Sequence, residues 1–382
     1  MIPYQTEVPN PGLTLEQRPI KLEGRHGARV DRRALVDRAN VVVTSVDPQT
    51  VLSVGNGQTA FTADVTGLQT LNATYLSPPL LTQTHADWGW HVTPPPAGVE
   101  PLRFTEAEIS ARNHSARYPV LQPKLAAETA WLRANPHRLS LLRLFLRRTD
   151  PRLPPIAPSD LRSPRQTLHL WNGTLTSSFE LDGAPVSVVT AVHPSLDALA
   201  TRAFQGGLEW GKADRHASTL VSGGRRCDGR PVLLRRLDAT THYVHLALGG
   251  GGCPHLAAGR VPHDWSIARA EGGGVEGGVE GGASGEGSAC LDATLWLSPA
   301  REQVAPPSAA EVFAAAAAHW PREWSRGAAL DLSGSAAKGA AALEAPCAAA
   351  LEARVVRSQY LSMSQEAGSS PPQEDDRSCN LG

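Results

Sequence analysis

The sequence is poor in cysteine and methionine, carries almost no net charge, and has no long apolar run. Five cysteines among 382 residues, at positions 227, 253, 290, 347 and 379, show no repeating spacing. An odd, scattered set argues against a disulfide framework and fits a reducing compartment. Cys253-Pro254-His255 brings a thiol and an imidazole close, but no second pair follows at zinc-site spacing, so no metal site is expected. Lys and Arg number 36 against 37 Asp and Glu. That balance gives no electrostatic reason to expect nucleic acid or an anionic membrane as partner. No stretch approaches the ~20 apolar residues of a membrane span. Met1 to Asn10 lacks the basic and apolar regions of a secretory signal, which makes the cytoplasm the default location. His-Glu-x-x-His, Gly-x-Ser-x-Gly and the Walker loop are all missing, and no cofactor is expected.

What is abundant is turn chemistry. Proline (31) and glycine (35) favour many turns between short strands. Val41 to Thr44, Val51 to Val54 and Phe61 to Val65 read as β-branched strands. The clearest hairpin runs from Thr174 to Val192. Leu175, Ser177, Phe179 and Leu181 share one face, Asp182-Gly183 supplies the turn, and Val186, Val188 and Val192 line the return strand. Val232 to Leu237, His242 to Leu248 and Leu291 to Leu297 add further strands. Between the last two lies Gly249 to Gly287, whose glycine-rich repeat offers little to bury. It reads as a disordered insertion, since the Lys and following helix of a phosphate loop are missing.

The pattern changes at Pro306-Pro307. Ser308-Ala309-Ala310-Glu311 is a capping box opening a helix that is expected to end at Trp320, before Pro321. A second helix is expected from about Ala348 to Gln365, with Leu351 and Val355 on one face and Pro346 preventing an earlier start. Nine Trp outnumber six Phe and five Tyr. Flat indole faces suit sugar rings, although they also fill cores.

Specific strings carry more. Val54-Gly55-Asn56-Gly57-Gln58-Thr59-Ala60-Phe61-Thr62-Ala63-Asp64-Val65-Thr66-Gly67-Leu68-Gln69-Thr70 is followed in order by four others. They are Trp88-Gly89-Trp90-His91, Trp131-Leu132-Arg133-Ala134-Asn135-Pro136-His137-Arg138-Leu139, Leu170-Trp171-Asn172-Gly173-Thr174-Leu175-Thr176-Ser177, and Ser358-Gln359-Tyr360-Leu361 with Pro371-Pro372-Gln373-Glu374. Together they resemble the six-hairpin glycosidase-like proteins related to glycoside hydrolase family 65. The resemblance implies a mainly β fold: a large antiparallel β-sandwich, linker helices, and the first part of an (α/α)6 barrel. It divides the chain into an extension (1–24), a sandwich (25–300), a helical linker (301–335) and a barrel start (336–382). After Glu374 the family pattern stops, so most of the barrel is expected to be missing.

By the same resemblance, the chemistry would be cleavage of glycosidic bonds by a carboxylic acid and a carboxylate. No position here matches that pair, so no catalytic residue is named. Trp88, Trp90 and His91 are the candidates for sugar contact, with Asn135, His137 and Arg138 as a polar cleft and Glu374 at a substrate rim. The bland reading has the indoles filling the core, His91 satisfied by backbone, and Asn135, His137 and Arg138 capping loops. The expected partner is a carbohydrate, an oligosaccharide or glycoside. A non-catalytic sandwich that binds carbohydrate or protein is the alternative.

Overall fold

The structure, a computed structural model, describes residues 30–75, 82–98, 105–111, 114–120, 126–148, 150, 152–203, 206–209, 216–222, 230–250, 254–259, 263–269, 291–332 and 345–369. Period-2 alternation accounts for its strands. In Thr174–Leu181, Leu175, Ser177 and Phe179 are buried while Ser178 and Glu180 face solvent. Asp182 and Gly183 both adopt left-handed backbone (φ 52 and 80°), as a type I′ turn requires. Ala184–Val192 then returns in register, Leu181 opposite Ala184 and Thr174 opposite Ala191. Val232–Leu237 and Thr240–Gly250 form a second hairpin about Asp238, also left-handed at φ 51°.

Both hairpins belong to one nine-stranded antiparallel sheet. Its spatial order is Val41–Val43, Leu161–His169, Thr174–Leu181, Ala184–Val192, Ala198–Ala203, Leu291–Ser298, Thr240–Gly250, Val232–Leu237 and His216–Ser222. A four-stranded sheet (Pro254–Ala258, Asp264–Arg269, Gly206–Glu209, Arg143–Leu146) and a three-stranded sheet (Leu52–Gly55, Thr59–Ala63, Thr84–Ala86) supply the opposing layer. Leu144, Leu175, Leu199, Leu233, Val244, Leu246 and Leu295 are among the side chains of the shared core. The mainly β, antiparallel architecture is the one expected, with the two longest described helices near the C-terminus.

The loop 64–71 ties the layers together. Gln69 donates its amide to the Thr62 carbonyl and its backbone N–H to the Leu144 carbonyl, so it joins the two smaller sheets. Gln166 of the large sheet donates to the Asp64 carbonyl, and the Thr190 hydroxyl to the Gly67 carbonyl. The fully buried Asp64 carboxylate holds the loop shut, accepting from Thr66 N and Oγ1 (2.8 and 2.6 Å) and from Leu71 N (2.6 Å).

Four α-helices are described: α1 (Arg32–Arg38), α2 (Ala126–Arg133), α3 (Ala309–Ser325) and α4 (Ala345–Leu361). The sequence reading anticipated neither α1 nor α2. Asp31 caps α1 by accepting from Ala34 N at 3.0 Å. The α3 capping box forms as expected, Ser308 and Glu311 satisfying each other's backbone N–H groups.

Three expectations are corrected. Helix α3 continues through Pro321 to Ser325. Pro321 forfeits one intrahelical hydrogen bond, but continuation buries Trp320 and Trp324 one turn apart, and Trp324 Nε1 donates to the Leu170 carbonyl at 2.7 Å. Helix α4 begins at Ala345 rather than Ala348. Pro346 falls in its first turn, where the missing N–H has no helical acceptor to lose. The buried face of the helix carries Ala348, Glu352, Val356 and Tyr360, while Leu351 and Val355 lie together on its outer face, as expected. The third correction concerns Gly249 to Gly287. Gly249 and Gly250 end a strand of the large sheet, and Pro254–Ala258 pairs with Asp264–Arg269. Leu256, Trp265 and Ile267 are buried there, and the Trp265 indole donates to Ser218 Oγ at 3.1 Å. Burying these three apolar side chains helps to offset the ordering of the strand pair. Residues 251–253, 260–262 and 270–287 of that segment lie outside the described residues.

Candidate functional site

The sequence candidates come together. Trp90-His91 and His137-Arg138 form a two-stranded antiparallel ribbon with Trp90 opposite Arg138 and His91 opposite His137. The Arg138 guanidinium lies 4.7 Å from the Trp90 ring centroid, a cation–π arrangement, and Arg138 also donates to the Ala86 carbonyl at 2.9 Å. The His91 and His137 rings meet edge to face, 5.3 Å apart.

Each member is anchored. Trp90 Nε1 donates to the Asp87 carbonyl at 2.8 Å. Trp88 Nε1 donates to Asp197 Oδ2 at 2.7 Å, and its ring tilts against His242 with centroids 6.0 Å apart. His91 is buried, with Nδ1 2.8 Å from Thr240 Oγ1 and Nε2 3.1 Å from Asp238 Oδ2. Both partners sit at the 238–240 turn of the large sheet, so His91 fixes the ribbon to that hairpin. Asn135 accepts from Thr93 N and donates to the Trp131 carbonyl, each at 2.7 Å, bracing the loop ahead of His137. His137 Nδ1 lies 3.2 Å from the Ala134 carbonyl oxygen.

Trp88, Trp90, His137 and Arg138 remain half-buried. Trp88 packs against the hydrophobic core, as the bland reading has it, while the polar neighbours of His91 are the Thr240 and Asp238 side chains rather than backbone. Asn135 does what the bland reading expected of it, bracing a loop. Glu374 lies outside the described residues. Beneath the ribbon, burial pushes the His85 imidazole down to about 4, with the nearby Arg138 charge acting in the same direction. It is therefore neutral at pH 7.

Sequence reasoning missed the supporting residues. Asp197, Asp238 and Thr240 hold the aromatic and imidazole groups, yet they stand far from the ribbon in sequence. Asp238 alone left a signal, as the turn between two strand-like runs. Asn56 belongs to the first of the motif strings. It donates to the His193 and Leu196 carbonyls at 3.0 Å, so it braces the turn leading to Asp197.

The remaining quoted strings meet the C-terminal helices. Gly57 N donates to the Ser364 carbonyl at 2.8 Å, and Tyr360 Oη donates to the Ser53 carbonyl at 3.1 Å. The Tyr360 ring stacks on Trp320 with centroids 4.7 Å apart. Beside this contact, the end of α3 and the outer face of α4 enclose an open groove of about 720 Å3 with Trp324, Leu351, Val355 and Met363 in its lining. Leu351 is 43% exposed. Among the described residues, no cluster of three or more His, Cys, Asp or Glu is arranged to hold a metal ion, and no helix is long and apolar enough to cross a membrane.

No protein-family profile and no curated protein sequence matches the chain. Among solved structures it is similar to a protein from the human microbiome provisionally named a kojibiose phosphorylase. The two share 9% identity with a TM-score of 0.37, and the match covers 84% of this chain and 38% of that one. The chain thus spans well under half the length of that protein.

Proposed function

We propose that residues 25–300 are the carbohydrate-facing sandwich of a protein that acts on glycosidic bonds. In this reading residues 301–335 form its connecting segment, and α4 is the opening helix of a helical catalytic body. The observation that carries it is the ribbon. Trp90 and Arg138 are cross-strand neighbours, half-buried, next to His137 and Trp88. A flat indole beside guanidinium and imidazole donors suits a sugar ring, whose C–H face stacks while its hydroxyls accept hydrogen bonds. The motif resemblance supports the same reading, with Glu374 as a rim residue.

The acid and base of glycoside cleavage have no counterpart among the motif residues of this chain. Catalysis is therefore assigned to the helical body, and the sandwich to holding and orienting substrate. The half-buried ribbon also favours a second reading, in which the sandwich binds carbohydrate without any catalysis.

The deciding experiment incubates the 382-residue chain at high concentration with a panel of α- and β-linked aryl glycosides and disaccharides, with and without inorganic phosphate. No turnover is expected, because no acidic pair among the motif residues matches the two proton-transfer groups, each of which contributes roughly 10²–10⁴-fold. Turnover that survives rigorous purification and vanishes on substituting an acidic residue of this chain would overturn the assignment. Weak, saturable sugar binding without turnover is the expected result.

A further inference from the structure

We draw no further inference here: the strongest candidate, the open apolar groove between the end of α3 and the outer face of α4, carries nothing because nothing in the structure shows what covers it.

Discussion

Gly173 lies against the indole of Trp320 with no room for a side chain: a Cβ at position 173 would overlap the Trp320 ring nitrogen. Gly173 also adopts φ 65°, which any other residue enters at a cost of roughly 1–2 kcal/mol. Gly173→Ala should therefore destabilise the fold through both strain and displacement of α3, by about 2–4 kcal/mol. Gly183→Ala supplies the control. Its φ is 80°, but nothing lies within 4 Å of the added methyl group, so only the backbone penalty applies. Urea unfolding of the two variants separates the terms. Equal losses would mean that the Gly173–Trp320 contact contributes nothing.

Pro321 gives a prediction of opposite sign. It occupies the interior of α3, where it lacks an N–H and crowds the preceding turn. Pro321→Ala should restore one hydrogen bond and stabilise the chain by about 1–3 kcal/mol. The check is an upward shift of the thermal midpoint with the circular-dichroism spectrum unchanged. A fall would show that the proline aligns Trp320 and Trp324 for burial.

Asp64 sets a pH dependence. Burial pushes its carboxyl up to about 6, against the lowering pull of the Thr66 and Leu71 hydrogen bonds and the Arg143 charge. An ordinary carboxyl titrates near 3.8. Between about pH 4 and 6 the folded chain thus holds a proton that the unfolded chain has released, and stability falls as pH rises through that window. The loss is complete above pH 6 and amounts to about 3 kcal/mol from this group, at about 1.4 kcal/mol per unit. Asp64→Asn should lower stability at every pH, since an amide cannot accept all three hydrogen bonds. It should also reduce the slope between pH 4 and 6. Denaturant midpoints across that range provide the measurement, and an unchanged slope would show that Asp64 is not the group responsible.

These relationships differ in how far the sequence revealed them. The Thr174 to Val192 hairpin was legible to the residue because alternation and the Asp182-Gly183 turn are local. Pro321 misled because its local rule is sound, yet tertiary burial of two indoles outweighed it. The strand pair 254–269 was missed because three core side chains are diluted by glycine and alanine, and composition averages over single residues. Trp88, Trp90, His91, His137 and Arg138 were nominated from short strings, and the structure joins them. Their cross-strand register, the cation over Trp90 and the Asp238–His91 contact depend on pairing between segments distant in the chain. No local pattern encodes such pairing.

The last prediction concerns the Trp90–Arg138 pair itself. The guanidinium sits over the indole, 4.7 Å from the ring centroid, and is tied to the Ala86 carbonyl. Removing either partner should affect stability modestly, because both are half-buried. An exposed cation–π contact contributes roughly 0.5–1 kcal/mol. The effect on sugar binding should be larger in proportion. A shallow site of this kind is expected to bind mono- and disaccharides with millimolar affinity, about 4 kcal/mol in all. Trp90→Ala should reduce that affinity at least tenfold, a loss of about 1.4 kcal/mol. Arg138→Lys keeps the charge but loses the planar fork, so a smaller loss is expected. Asp150→Asn, at a partly exposed position whose carboxylate pairs with neighbouring Arg152, should leave binding unchanged. Titration of the isotopically labelled chain with disaccharides, followed by indole N–H resonances in NMR, reads all three variants together. Shifts confined to Trp88 and Trp90 that disappear in Trp90→Ala would support the ribbon as the sugar-contacting surface. Shifts of the same size in wild type and Trp90→Ala would place the sugar elsewhere, and leave Trp90 and Arg138 as the clasp that holds one loop of the sandwich to another.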